Sequence, residues 1–141
     1  MSAQTPNLFT FAVGELAQDS FICWLAKWAD PTFREADPAL HATGIAFVQR
    51  LLEVGNGPTV VEIKSIEPMR QEMKIDVLLK INGDTFVIIE DKTNTQEHSN
   101  QLKAYKSKVA QKFKTDKIAA VYFKTGDQGN YGSSGKSVPG G

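Results

Sequence analysis

The chain has 141 residues, 41% hydrophobic and 23% charged, with 16 basic and 16 acidic side chains and a formal net charge of zero. That is one domain's worth of polypeptide, able to bury a core unaided and too apolar for wholesale disorder. A single cysteine, Cys23, excludes an intrachain disulfide and a cysteine-based zinc cluster, and His41 and His98 leave little room for zinc otherwise. No apolar run reaches the length of a membrane span and the first residues lack the regions of a signal peptide, so a cytoplasmic protein without a membrane partner is expected.

Residues 14–29 (GELAQDSFICWLAKWA) read as a helix that ends before Asp30-Pro31. Leu16, Phe21, Trp24, Leu25 and Trp28 give it a wide apolar face, so Cys23, Trp24 and Trp28 read as core, with Cys23 an inert buried thiol. A second helix opens with Asp37 as N-cap and Pro38 in its first turn, carries the stripe Leu40, Phe47, Val48, Leu51 and Leu52, and stops at Gly55-Asn56-Gly57-Pro58. Three strands are expected next, over residues 59–66, 74–81 and 85–91, with Asn82-Gly83 marking a tight hairpin between the last two. Residues 99–114 form a third helix with Leu102, Tyr105, Val109 and Phe113 on one line, and residues 117–124 a fourth strand. The order predicts an α/β fold, an antiparallel meander joined by a last strand after a helical crossover, in a mixed sheet flanked by helices. Residues 126–141 hold six of the eleven glycines and are expected to be a tail, a linker or the edge of a truncated chain, leaving residues 1–125 as the domain.

Charge is unevenly spread. Residues 1–57 carry six acids against three bases, whereas residues 98–118 carry six lysines against Asp116 alone. Such a basic helix is either a phosphate-facing side or a solvated surface.

The chemistry concentrates in the predicted hairpin. Period two puts Phe86, Ile88, Glu90 and Lys92 on one face of the third strand and Asp91 on the other, and places Asp76 opposite Ile75 and Val77 on the second. A three-residue loop, Asn82-Gly83-Asp84, sets Asp76 directly across from Glu90, whereas a two-residue loop separates them unless a bulge intervenes. Two facing carboxylates repel, so the first arrangement makes sense around a cation, and hard oxygen donors select Mg²⁺ or Mn²⁺ over zinc.

Asp76, thirteen residues and then Glu90-Asp91-Lys92 resembles the D…(D/E)xK signature of the PD-(D/E)XK nuclease superfamily. Gln101 and Tyr105 in QLKAY are similar to the QxxxY motif of its RecB-like members. The resemblance covers residues 12–124, with Ile75 standing where the family's name has proline. It implies a restriction-endonuclease-like core and a metal-dependent deoxyribonuclease. Asp76 and Glu90 would bind metal with help from the backbone carbonyl of Asp91, and Lys92 would orient or activate the attacking water. Glu15 would be the acid of the first helix, with Asp19 its rival one turn on. Gln101 and Tyr105 would border the site, and Lys108 and Lys112, on the same helix shoulder as Gln101, would carry the DNA backbone past it. The partner implied is nucleic acid, DNA first, with a homodimer admitted. The competing reading is a nucleic-acid- or protein-binding module on the same fold that no longer catalyses. Each residue also has a plainer role: a surface ion pair for Glu90 and Lys92, a helix-dipole acid for Glu15, a core tyrosine for Tyr105. His98 is assigned no role.

Overall fold

The computed structural model of the chain describes residues 5–6, 17–91 and 98–123. Its elements run α1 (Ala17–Lys27), a 3-10 turn (Pro31–Phe33), α2 (Pro38–Val54), β1 (Ile66–Glu72), β2 (Ile75–Ile81), β3 (Thr85–Asp91), α3 (His98–Phe113) and β4 (Ile118–Phe123). The strands lie in the order β1-β2-β3-β4. The first three pair antiparallel, and β4 pairs parallel to β3 after the α3 crossover.

Helices cover both faces of this sheet, which is why β2 and β3 carry near-continuous apolar runs. On one face Val77, Leu79, Ile81, Val87, Ile89 and Val121 pack with Ile22, Cys23, Ala26, Val48 and Leu52 of α1 and α2. On the other, Leu78, Phe86, Ile88 and Ile118 meet Val109, Leu102 and Phe113 of α3. Phe86 stacks on Phe113 with ring centroids 4.4 Å apart. Cys23 is fully buried and unpaired. Burial pushes its thiol up to about 12, as an inert core cysteine requires. Trp28 is buried, whereas Trp24 is only half-buried and leans on the exposed Phe21 ring, 5.7 Å away.

The first strand differs from expectation. Residues 59–65 are not extended into the sheet, Val61 is 92% exposed, and β1 begins only at Ile66. Two sets of polar contacts decide this over the β propensity of TVVEI. The Asn82 side chain accepts from the Lys64 and Ser65 N–H groups and donates to the Glu62 carbonyl, so this segment satisfies its backbone at the hairpin turn. Ile66 is then held from below: its N–H donates to Asp30 Oδ2 at 3.0 Å, and Lys27 Nζ donates to its carbonyl at 2.7 Å. Burial works against ionisation of Asp30, but the Thr32 and Ile66 N–H groups and Lys27 outweigh it and hold the carboxyl below its ordinary value. The EPMRQE stretch becomes a strand because β2 supplies its ladder, and Pro68 is tolerated because β1 is an edge.

The β1–β2 hairpin turns on Met73 and Lys74, both with positive φ (55° and 68°), as a two-residue primed turn demands. Neither residue favours that region, so the turn is strained. Lys74 is exposed. Lys74→Gly should therefore stabilise the protein by about 1 kcal/mol, read as a higher melting temperature, because the exposed side chain contributes little and the backbone strain is relieved. An unchanged or lower melting temperature would show that the turn stores no strain.

Candidate active site

The β2–β3 hairpin decides the register on which the site depends. Ile81 pairs with Thr85, so the loop is the three residues Asn82, Gly83 and Asp84. Asn82 and Gly83 take φ values of 56° and 79°, conformations that Asn and Gly tolerate best. The same register runs to Val77 opposite Ile89, and one step further it brings Asp76 across from Glu90. The two meet directly: the Asp76 N–H donates to Glu90 Oε2 at 2.8 Å. Both residues alternate onto the α3 face, at the end of the sheet away from the Asn82 turn.

Glu90 is only 5% exposed. Its carboxyl is raised to about 7, first by burial, which the Asp76 N–H opposes in part, and then by the charges of Asp76 and Asp19. Asp19, on α1, is itself buried. Among the described residues, Asp19 is thus a third acid within electrostatic reach of Glu90. Glu15 lies outside the described residues, as does Lys92. Asp91 is the last residue of β3, and its side chain is likewise outside the described set.

From α3, Tyr105 reaches the same end of the sheet. Its hydroxyl donates to the Lys74 carbonyl at 3.2 Å, and Gln101 Nε2 donates to the Tyr105 oxygen at 3.4 Å. Burial raises the Tyr105 phenol, and the charges of Glu90 and Asp76 add to the shift, so both lie within electrostatic reach of it. Lys108 Nζ lies 5.9 Å from the centroid of the Tyr105 ring. Lys112 differs from its helix neighbour: it is bonded to Glu72 of β1, so its charge is already matched. Helix spacing alone makes the two lysines equivalent, because the acid opposite Lys112 comes from a strand that residue pattern does not locate. Tyr122 of β4, beside Glu90 in the parallel ladder, belongs to no motif in the sequence. Alternation along IAAVYF is the available signal, since it puts Ile118, Ala120 and Tyr122 on one face.

A model of the PD-(D/E)XK nuclease superfamily matches residues 30–138. The chain belongs to that superfamily. The fold agrees with it: a four-stranded mixed sheet with helices on both faces. No curated protein and no solved structure matches the chain. The matched segment contains Asp76, Glu90, Gln101 and Tyr105 and begins after α1, so it does not include Asp19. PD-(D/E)XK nucleases generally use divalent metals, and the donor set here suits a hard cation. Among the described residues no three His, Cys, Asp or Glu side chains form a group able to hold a metal, but the Asp76 and Glu90 side chains are close enough to interact. Mg²⁺ is commonly bound by one or two carboxylates, with water and substrate phosphate completing the shell. Burial and neighbouring acids favour the neutral form of Glu90, and a cation bound there would offset them. Among the described residues no helix is long and apolar enough to cross a membrane.

Proposed function

We propose that this chain is a nuclease that hydrolyses phosphodiester bonds of DNA, with Asp76 and Glu90 holding Mg²⁺ or Mn²⁺ and Lys92 assisting the attacking water. The observation that carries the reading is the Asp76–Glu90 juxtaposition at one end of the sheet, with Glu90 buried and bonded through the Asp76 amide. The cation would supply Lewis-acid stabilisation of the charge that builds on the phosphate. The chain's own groups supply the rest. Asp76 and Glu90 would hold it from adjacent strands, with the Asp91 carbonyl as a third donor. The Asp76 N–H fixes one Glu90 oxygen, and Glu90, titrating at about 7, sheds its proton near neutral pH. The Lys92 ammonium would orient a water for attack at phosphorus, where one P–O bond forms as another breaks. Gln101 and Tyr105 border the site as a bonded pair, which supports the RecB-like subgroup. In this reading residues 1–125 hold the site residues of the nuclease domain, and the protein is cytoplasmic.

The test is incubation of the purified chain with linear, circular and single-stranded DNA and with RNA, under Mg²⁺, Mn²⁺ or EDTA. Metal-dependent, EDTA-sensitive cleavage of DNA is expected. Binding of DNA without cleavage in any metal would favour the inactive module.

The basic helix makes a separate prediction. Lys108→Ala should weaken DNA binding and reduce the slope of log affinity against log salt by about one, as loss of one phosphate contact does. Lys112→Ala should leave the slope nearly unchanged, because Glu72 already occupies that ammonium. Salt titrations of the two variants check this. Equal losses of slope would show that Lys112 leaves Glu72 for the phosphate.

A further inference from the structure

Three neighbouring strands set side chains abreast at the level of the site. Glu90 on β3 pairs with Tyr122 on β4, and the β2–β3 register carries Asp76 to its other side. Tyr122 is half-buried, and its hydroxyl oxygen is shielded from solvent. Burial first, and then the Glu90 charge, raise its phenol, while a backbone hydrogen bond with Leu102 of α3 opposes the rise. Tyr105 closes over the same spot from α3 through its bond to the Lys74 carbonyl.

A glutamate has three rotatable side-chain bonds, and a carboxylate that must present its oxygens in one direction gains from having that freedom removed beforehand. On the β2 side the Asp76 amide pins Glu90 Oε2. On the β4 side the adjacent residue on the same face is Tyr122. We propose that Tyr122 is a positioning residue for Glu90, its ring and phenol closing the β4 side of the carboxylate as the Asp76 amide closes the β2 side. The inference rests on the reading of Asp76 and Glu90 as a cation-binding pair, and it adds a residue from outside the D…ExK motif. Tyr122 touches neither cation nor substrate; it acts through Glu90. Outer groups that orient a ligand in this way commonly control affinity by about 10- to 100-fold.

The experiment compares wild type, Tyr122→Phe and Tyr122→Leu by calorimetric titration with Mn²⁺, by steady-state cleavage of linear DNA, and by melting in EDTA. Tyr122→Phe keeps the ring and gives up only the hydroxyl's bond to Leu102, so its metal-free melting temperature should fall little. Its Mn²⁺ affinity should fall about 10-fold and kcat by a similar factor, with KM for DNA unchanged. Tyr122→Leu, which also loses the ring, should bind Mn²⁺ more weakly still. Wild-type Mn²⁺ affinity and kcat in Tyr122→Phe would overturn the inference and leave the metal pair standing. So would a rise in KM alone, which would make Tyr122 a substrate contact, or an affinity loss that merely tracks a lower melting temperature. Failure of the wild type to bind Mn²⁺ would remove the metal pair and the inference together.

Discussion

Glu90→Gln and Asp76→Asn should each lower DNA cleavage at saturating Mg²⁺ by on the order of 10³-fold, since each removes a charge aimed at the reacting centre. The two variants should part company in stability. In the metal-free protein Glu90 titrates at about 7, above its ordinary 4.5. Between those values the unfolded chain has released a proton that the folded protein retains. Folding therefore loses stability as pH rises through that window, and the loss is complete above it. The shift corresponds to on the order of 3 kcal/mol. Glu90→Gln keeps an oxygen for the Asp76 N–H and removes the charge. It should melt higher than wild type at pH 8 in EDTA and show no advantage near pH 4.5. A Glu90→Gln protein less stable than wild type at pH 8 would contradict the account of carboxylate crowding.

Gly44→Ala should have the largest effect on the fold. A Cβ at this α2 position would lie 2.7 Å from the Ala29 nitrogen, 2.8 Å from the Leu25 oxygen and 3.0 Å from the Trp28 carbonyl carbon. All three are backbone atoms at the end of α1, so no side chain can swing aside. The cost should be about 3 kcal/mol, the upper part of the range for overpacking, read as a lower midpoint in urea. Since α1 carries Asp19 toward Glu90, the same change should disturb the site from a distance. Wild-type stability in Gly44→Ala would mean that α1 can shift off α2 at no cost.

Where the sequence was legible, the reason was local chemistry. The N-cap and first-turn pair Asp37-Pro38 and the Gly55 stop bound α2 as expected. The Asn82-Gly83 turn, with strict alternation on both sides, marks β3, and a loop of three residues then yields the Asp76–Glu90 pairing. The family resemblance is carried by the same hairpin. What was not legible depends on contacts between distant segments. Residues 59–65 have the β propensity, yet β1 lies in EPMRQE because Asp30 and Lys27 grip Ile66 and Asn82 holds the residues before it. Asp19 and Glu15 are rivals on one helix strip, and only the packing of α1 on the sheet places Asp19 near Glu90. Lys108 and Lys112 look alike at helix spacing, and Glu72 on another element separates them. No motif marks Tyr122: alternation along IAAVYF gives its face, and only the parallel ladder with β3, a pairing across a whole helix, sets it beside Glu90.

The central claim is that the Asp76–Glu90 pair holds a divalent cation, and calorimetric titration of Mn²⁺ into the metal-free protein tests it most directly. Wild type should bind, releasing close to one proton when the buffer is near pH 6, because the cation displaces the proton that Glu90 otherwise keeps. Glu90→Gln and Asp76→Asn should each lose that binding, and the proton release with it. Wild-type Mn²⁺ affinity in the Asp76→Asn/Glu90→Gln double variant would contradict the account.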